Sequence, residues 1–420
     1  MKYTVSAVAL AAVMSVVTGS ARADQPTAEV MHWWVSAGES AAIKEVAKAY
    51  EAAGGIWKDN AIAGGEVAIA NIVSRITGGN PPTAAQMPLG KQLDDLVTQG
   101  LLAPLDDAAK ETGFLDNIPE LFKKAVVYPD GHMYALPIND HGHDWVWYNK
   151  QVLTDAGAKD PVTWDDLFAA LDAIKAKGKA IPLAVGAQPW QLGQTFLTVV
   201  VTKEGSDFYY KVFRDLDTDA IKSDKFKDAV STFLKLRDYS DEGAANREWN
   251  VAANMVITGK AGFHFMGDWA KGEYLAAGQT PGKEFGCQIL GNGDGVQNFI
   301  MASDAIIFPV NKAAGQAESQ ALLEKVIMSK DVQVAFNLKK GSVPARLDVD
   351  TSKLDACSKI GVNILQKPEQ RIASTDFLDS PDLIGAERDL AAQAWANPKM
   401  TVDQFVDAFI PILEAEKKTR

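Results

Sequence analysis

The chain has 420 residues, of which 47% are hydrophobic and 23% are charged, an ordinary globular composition that excludes collagen-like, disordered and coiled-coil proteins. This length predicts two or three units that each bury a core. Acidic residues outnumber basic residues by 54 to 42, and the formal net charge is −12. Because such a chain repels phosphate backbones, we expect no nucleic-acid partner.

The first 23 residues have the pattern of a secretory signal peptide. Lys2 provides the positive start, residues 5–17 are apolar, and Ala21 and Ala23 are the small residues of a cleavage site. The apolar stretch is too short to span a membrane. We therefore expect export to the periplasm and cleavage after Ala23. Cleavage removes one Lys and one Arg, which changes the net charge from −12 to −14.

Short apolar runs alternate with helical patterns along the rest of the chain. The predicted strands are 30–35, 83–87, 179–185, 261–266 and 305–310, and the predicted helices are one after Ser36, 91–99, 165–177 and two within 383–417 that Pro398 separates. This alternation predicts an α/β fold with largely parallel sheets. No short repeat or low-complexity linker occurs, so two lobes joined by short crossings fit better than a string of domains.

Ser36 and Glu39 have the spacing of a capping box at the start of the first helix. In this interpretation, the Glu39 side chain reaches back to the backbone N–H of Ser36.

Cys287 and Cys357 are the two cysteines of the chain. In an oxidising compartment, two well-separated cysteines are most simply explained as one disulfide. Two inert buried thiols are the alternative. The pair alone provides too few ligands for a metal site.

Motifs for catalysis are absent from the sequence. It contains no phosphate-binding loop, dinucleotide fingerprint, nucleophile elbow or paired-histidine zinc motif. His132, His141 and His143 lie close together and could form half of a zinc site, but a polar strand edge is the simpler explanation. Carboxylates are so numerous that a glycosidase pair cannot be recognised. We therefore assign no catalytic residue, metal site or cofactor.

The ten Trp residues are the unusual feature of the composition. Four of them stand at the ends of predicted strands or in the loops after them: Trp33, Trp34, Trp190 and Trp269. Ligands of α/β proteins bind at the carboxyl ends of strands, so these four are candidates for ligand contact. Trp33 and Trp34 should point in opposite directions, because side chains alternate along a strand. Three others are expected in the core: Trp57, Trp147 and Trp164.

Polar side chains accompany these Trp residues along the chain. The candidates are Glu39, His141, Gln191, Asp268 and Lys340. Sugars have apolar C–H faces that stack on indole rings and hydroxyl groups that need donors and acceptors, and charged partners give the stronger hydrogen bonds. The combination favours a sugar as ligand.

Five short motifs stand in order along the chain. They are HWW-x-S-x-GE at 32–39, GNPP-x-AAQ at 79–86, PWQ at 189–191, MGDWAK at 266–271 and KGSVPAR at 340–346. With the signal peptide, they resemble periplasmic sugar-binding proteins of ABC importers, and the glucose/mannose-type binding proteins most of all. The similarity extends through nearly all of the chain after the signal peptide.

The resemblance implies two α/β lobes that close by hinge motion around a sugar in the cleft between them. The expected boundaries are 24–136 plus 304–345 for lobe 1 and 137–303 plus 346–420 for lobe 2. The chain would cross between the lobes near 136–140, 301–305 and 346. A monomer that delivers its sugar to a membrane permease, with no enzymatic activity of its own, is also implied.

The resemblance also assigns residues to the site. Nine residues match ligand-contacting positions of the subgroup: Trp33, Trp34, Glu39, His141, Trp190, Gln191, Asp268, Trp269 and Lys340. Four more are assigned to the site from a motif or from their place at or beside such positions: Gln86, Ser303, Asp304 and Asp376. Cys287 and Cys357 stand where the subgroup carries its cysteine pair, which favours the disulfide.

Three positions depart from the subgroup. Pro88 stands in place of a Lys, Ser303 in place of an Asp although Asp304 is adjacent, and Phe377 in place of a His. A site that hydrogen-bonds hydroxyl groups rejects analogues that lack them. A protein with different hydrogen-bond donors in the site should therefore bind a different sugar. We expect a sugar other than free glucose, either another monosaccharide or a short oligosaccharide. The alternative functions are a secreted glycoside-active enzyme and a metal- or chelate-binding protein.

Overall fold

The computed structural model describes residues 25–418, so the predicted signal peptide lies outside the described residues. The strands are β1 Thr27–His32, β2 Ile56–Ala61, β3 Ala84–Pro88, β4 Leu136–Pro137, β5 Asn139–Gly142, β6 Val146–Asn149, β7 Ile181–Ala184, β8 Ala261–Phe265, β9 Phe285–Gln288, β10 Phe299–Ala302, β11 Asp304–Ile307, β12 Val343–Pro344 and β13 Arg371–Ala373. Over residues 25–418, no helix is both long and apolar enough to cross a membrane.

Helices surround the strands. They are α1 Ala37–Ala52, α2 Gly65–Thr77, α3 Asp94–Thr98, α4 Asp106–Thr112, α5 Glu120–Val126, α6 Lys150–Ala156, α7 Trp164–Lys177, α8 Pro189–Glu204, α9 Ser206–Phe213, α10 Thr218–Lys222, α11 Asp224–Leu236, α12 Trp249–Ile257, α13 Ala270–Ala276, α14 Gln316–Met328, α15 Lys330–Lys340, α16 Ala356–Leu365, α17 Thr375–Leu378, α18 Pro381–Ala396 and α19 Val402–Lys417. The α/β class predicted from the sequence is confirmed.

The strands of residues 25–418 form three sheets. Their orders are β2-β1-β3-β11-β4, β12-β5-β10-β13 and β7-β8-β6-β9. The chain passes between the first two sheets through single residues, Ile138 between β4 and β5 and Ser303 between β10 and β11. These passages lie within 136–140 and 301–305, where crossings between lobes are expected. The lobe boundaries themselves stay a prediction.

The expectation of largely parallel sheets is wrong, because six of the ten strand pairings in the described part of the chain are antiparallel. A parallel neighbour needs a crossover connection that returns the chain to the same end of the sheet. β4 and β11 instead adjoin strands of another sheet through a single residue, and β11 pairs antiparallel with both β3 and β4. The alternation of strands and helices along the sequence does not show from which sheet the chain enters a strand, so it does not predict the direction of that strand.

Helix α1 begins as predicted at Ser36, whose side chain accepts a hydrogen bond from the backbone N–H of Glu39. The other half of the predicted capping box, a hydrogen bond from the Ser36 backbone N–H to the Glu39 side chain, is wrong. The Glu39 carboxylate accepts instead from the Ser36 hydroxyl at 3.0 Å and from the Lys340 ammonium at 3.0 Å. An ammonium partner is a stronger attraction for a buried carboxylate than a backbone N–H.

Two hydrophobic cores underlie the sheets. One contains Trp34, Tyr50 and Phe336, and the other contains Phe196 and Phe226. Trp147 and Trp164 are buried as expected, whereas Trp57 is half-buried and packs edge-on against Tyr50 at the border of the first core. Burial of these large aromatic side chains is the main favourable contribution to folding.

Cys287 of β9 and Cys357 of α16 form a disulfide, with their Cα atoms 6.0 Å apart. This pairing confirms the disulfide and excludes the alternative of two free thiols. The separation lies in the usual range for disulfides.

Gly38 in the first turn of α1 touches α13 so closely that a Cβ atom there would lie 2.5 Å from the carbonyl carbon of Gly272. Gly38→Ala is therefore expected to lower the free energy of unfolding by about 1–3 kcal/mol through overpacking. Gly385→Ala is the control, because Gly385 has open space around it in α18. The control should raise stability by roughly 0.5–1 kcal/mol, as Ala is the better helix former. Denaturant unfolding measures both, and equal stability of the two variants would contradict the close contact.

Candidate functional site

Five polar side chains from two sheets and from the segment after β8 meet in one buried cluster, which we call the polar network: Gln86, Asn139, His141, Asp268 and Asp304. His141 lies between two carboxylates, with Nδ1 at 2.6 Å from Asp268 and Nε2 at 2.7 Å from Asp304. Asp304 also accepts hydrogen bonds from Gln86 at 2.9 Å and from Asn139 at 3.0 Å. The network thus joins β3 and β11 of the five-stranded sheet to β5 and to the segment after β8.

Charge holds the polar network together. Burial alone would lower the pKa of His141, but Asp268 and Asp304 outweigh it and raise that pKa to about 9. Burial would likewise raise the pKa of Asp304, but His141, Lys340 and Asn139 reverse this and depress it. At neutral pH an imidazolium therefore lies between two carboxylates. Such an arrangement repays its desolvation only when the hydrogen bonds are also satisfied, as they are here.

The Lys340–Glu39 ion pair lies next to the network. Both side chains are buried, and the ammonium lies 3.0 Å from the carboxylate. The same ammonium is 5.6 Å from the ring centre of Trp269, within cation–π range. Trp269 also contacts His141, and the centres of the two rings lie 5.1 Å apart.

A cavity of about 140 Å³ opens beside Trp269. Trp190 and Trp269 line it, with their ring centres 6.4 Å apart. His143 also lines it, edge-on to Trp269 at 5.6 Å. Burial lowers the pKa of His143 to about 4, so its ring is neutral at pH 7. This aromatic wall offers flat apolar faces and a neutral hydrogen-bonding ring.

Polar and apolar residues contribute equally to the remaining lining of the cavity. The polar residues are Gln194 of α8, Thr375 and Asp376 of α17, and Glu387 and Arg388 of α18, and they stand beside Pro88 at the end of β3, Gly193, Phe196, Leu197 and Ile384. The Gln194 amide donates to the His143 carbonyl oxygen at 2.7 Å. The Arg388 guanidinium lies 3.9 Å from Asp376 Oδ1. Aromatic faces and paired donors and acceptors therefore border the same small space.

The structure divides the thirteen predicted site residues into groups. Trp190, Trp269 and Asp376 line the cavity, and Gln86, His141, Asp268 and Asp304 belong to the polar network. Glu39 and Lys340 form the adjoining ion pair. The ligand-binding role of each stays a prediction, because a hydrogen bond between protein groups does not by itself identify a ligand contact.

The other four predicted residues lie around this centre. Trp33 is half-buried, and its backbone N–H donates to Gln86 at 3.0 Å. Trp34 is buried edge-on against Phe336, and Trp33 packs against the border of the same core, so their opposite orientation stays a prediction. Gln191 donates to the Gln188 side chain and to the Arg247 carbonyl oxygen. The Ser303 hydroxyl donates to the Asn139 carbonyl oxygen at 2.7 Å.

Sequence reasoning missed His143, Gln194, Glu387 and Arg388 as lining residues. Two signals could have found the first pair: His143 is two residues after His141 on an extended segment, and Gln194 is one helical turn after Trp190. Nothing local distinguishes Glu387 and Arg388 from the other charged residues of α18.

The three histidines of the possible zinc site have different partners. His132 pairs with Asp106 at 2.6 Å, and both ring nitrogens of His141 are bound by carboxylates. Over residues 25–418, no group of three or more His, Cys, Asp or Glu side chains is arranged to hold a metal ion.

The histidines should titrate over a wide range. We expect His141 to titrate at about pH 9, His143 at about 4 and His264 at about 3, since burial lowers the last two. The raised pKa of His141 contributes stability that is full below its unfolded value of about 6.5 and is lost as pH rises towards the folded value. A proton–carbon NMR titration of the imidazole Cε1–H signals checks this, with His141→Asn for assignment. A His141 signal that titrates at its ordinary value would contradict the bridged geometry.

Comparison with known proteins gives concordant results. Residues 34–326 match the family model described as bacterial extracellular solute-binding protein. A probable sugar-binding periplasmic protein of Rhizobium meliloti is 41% identical over 367 residues, which cover 87% of this chain and 86% of the relative. Among solved structures, a chitin oligosaccharide binding protein has a TM-score of 0.79 at 20% identity, covering 94% of this chain and 100% of the other.

A second structure is the bacterial solute receptor AcbH, described as having an exclusive preference for β-D-galactopyranose. Its TM-score is 0.78 at 20% identity, over 94% of this chain and 98% of the receptor. At this identity the structural likeness shows the fold alone, which is the two-lobed fold of periplasmic binding proteins. Together with the match over most of the sequence, it places the chain in the family of bacterial extracellular solute-binding proteins.

Proposed function

We propose that this protein captures a sugar in the cavity beside Trp190 and Trp269 and delivers it to an ABC permease. The observation that carries the proposal is the pairing of two indole rings with carboxyl, amide and guanidinium groups around one small space. Aromatic faces suit the C–H faces of a sugar ring, and the polar groups suit its hydroxyls. An ordinary hydrophobic core would not leave this many polar groups around the same space.

The cavity favours a small ligand. Its volume of about 140 Å³ lies below the roughly 300–1,000 Å³ of drug-sized pockets. We infer that a single sugar ring occupies it, with any further ring of an oligosaccharide extending through the opening. The printed names of the relatives, which refer to sugar-binding, galactopyranose and chitin oligosaccharide, support the class of ligand. The altered donors at Pro88 and Phe377 favour a sugar other than free glucose.

We infer further that the polar network fastens the closed form of the cleft. It links Gln86 and Asp304, expected in lobe 1, to His141 and Asp268, expected in lobe 2. The proposed lobes are 24–136 plus 304–345 and 137–303 plus 346–420, with hinge passages at Ile138 and Ser303. In this proposal the exported protein works in the periplasm as a monomer after cleavage of residues 1–23, without a cofactor.

A thermal-shift screen against named sugars tests the proposal, because a ligand that binds only the folded state raises Tm. The panel contains D-galactose, D-glucose, D-mannose, D-xylose, L-arabinose, maltose and chitobiose. We expect at least one sugar to raise Tm and to be recovered unchanged by chromatography. Turnover of the sugar would indicate a glycoside-active enzyme instead, and a shift with zinc that a chelator reverses would indicate a metal-binding protein. Sub-micromolar binding of glucose would contradict the expectation of a different sugar.

A further inference from the structure

Arg388 contributes a guanidinium group to the cavity wall without a hydrogen bond to hold it there. Its side chain lies in α18 and is partly exposed at 31%. The nearest carboxylate oxygen, Asp376 Oδ1, is 3.9 Å from its terminal nitrogen, which is beyond hydrogen-bond distance. Within residues 25–418, no protein acceptor receives a hydrogen bond from this group. Its donors are therefore available to a molecule in the cavity.

The packing of two helices fixes the side chain in this position. A Cβ atom at Gly193 of α8 would lie 2.7 Å from Arg388 Cγ. The absence of a side chain at 193 thus makes room for the Arg388 stem. The same stretch of α8 carries Trp190 and Gln194, so the α8–α18 contact places an indole, an amide and a guanidinium around one cavity.

Among the residues that the structure describes, Arg388 is the one Lys or Arg that lines the cavity. Pro88 has neither a side-chain donor nor a backbone N–H, and Phe377 stacks on Phe122 with ring centres 5.9 Å apart. These are two of the positions that depart from the resembled subgroup, where a Lys and a His stand. Arg388 of α18 places a donor group in the same cavity.

The charges around Arg388 indicate what it binds. Two carboxyl groups, of Asp376 and Glu387, line the cavity with one guanidinium. An anionic ligand would meet both carboxyl groups, whereas a neutral diol can donate to a carboxylate and accept from the guanidinium at the same time. The wall therefore favours a neutral sugar over a sugar acid.

We propose that Arg388 contacts the ligand and determines specificity. Its guanidinium donates to a hydroxyl oxygen of a neutral sugar while the adjacent hydroxyl of the sugar donates to Asp376. The inference rests on the proposed sugar-binding function. It adds Arg388 to the residues that contact the sugar, and it specifies that the sugar is uncharged. Arg388 acts by direct contact with the sugar, so its removal should affect affinity far more than folding.

Calorimetric titration of Arg388→Met with the seven sugars of the panel, which are D-galactose, D-glucose, D-mannose, D-xylose, L-arabinose, maltose and chitobiose, tests the contact. For any of these sugars that binds the unaltered protein, we expect about 10- to 100-fold weaker binding, the cost of one charge-assisted hydrogen bond. Arg388→Lys should recover part of the loss. Lys399→Met is the matched control, since Lys399 is an exposed cation in the turn after α18 and its replacement should leave Kd unchanged. Each variant should keep a native melting transition.

The outcomes separate the two proposals. If no sugar of the panel binds the unaltered protein, the proposed function fails and this inference fails with it. If a sugar binds both proteins equally well, Arg388 is not a ligand residue and the proposed function stands. D-galacturonate and D-glucuronate test the charge: we expect them to bind more weakly than galactose and glucose, and tighter binding of either acid would overturn the assignment of a neutral sugar.

Discussion

Replacement of Asp304 by Ala is expected to lower the free energy of unfolding by about 3–5 kcal/mol, the cost of breaking a buried ion pair by removing one partner. Asp304 accepts hydrogen bonds from Gln86, Asn139 and His141. Without its carboxylate, the His141 imidazolium loses one of its two counter-charges, and two amide groups lose their acceptor. The loss would be measured by denaturant unfolding.

Two further variants separate charge from hydrogen bonding. Asp304→Asn keeps a carbonyl acceptor but not the charge, so we expect a loss intermediate between the unaltered protein and Asp304→Ala. Asp389→Ala removes an exposed carboxylate from α18 and should change stability by less than about 0.5 kcal/mol. If Asp304→Ala were as stable as Asp389→Ala, the polar network would not be the close arrangement described here.

Replacement of Trp269 by Ala is expected to weaken sugar binding by about 1–3 kcal/mol, or roughly 5- to 150-fold, the usual cost of losing an aromatic stacking partner. Trp269 lines the cavity and also contacts His141, His143 and Lys340. Its removal takes away an apolar face for the sugar and loosens the side chains behind that face. Titration with the sugar identified in the panel measures the effect.

Trp57→Ala is the control for Trp269→Ala, because Trp57 contacts Tyr50 and Asp59 and does not line the cavity. It should leave the affinity unchanged. Trp33→Ala tests whether the binding site extends from the cavity to Trp33. A loss as large as that of Trp269→Ala would extend the site towards Gln86, and no loss would confine it to the cavity. Equal affinity of Trp269→Ala and the unaltered protein would contradict the stacking role.

Much of the fold could be predicted because its signals are local. The strand before Ser36, the helix cap at Ser36 and the pair of helices around Pro398 depend on neighbouring residues alone. Strand direction could not be predicted in this way. Whether β11 pairs parallel or antiparallel depends on the sheet from which the chain arrives, and that is decided by packing between segments more than a hundred residues apart.

The site likewise combines features that follow from neighbouring residues with features that depend on distant segments. Just after β1, Trp34 is fully buried in the core, whereas Trp33 is half-buried and packs against the border of that core. The partner of Glu39 was not predictable, because Lys340 lies about three hundred positions later in the sequence. Arg388 reaches the cavity only because α8 and α18 pack together at Gly193. Tertiary contacts of this kind leave no periodic signal in the chain.

The central claim is that the cavity beside Trp190 and Trp269 holds the sugar. A crystal structure of the protein with the tightest-binding sugar of the panel tests it most directly. We predict one sugar ring in this cavity, with an apolar face against Trp269 and hydroxyl oxygens within hydrogen-bond distance of Asp376 and Arg388. A sugar bound elsewhere on the protein, with this cavity empty, would contradict the account.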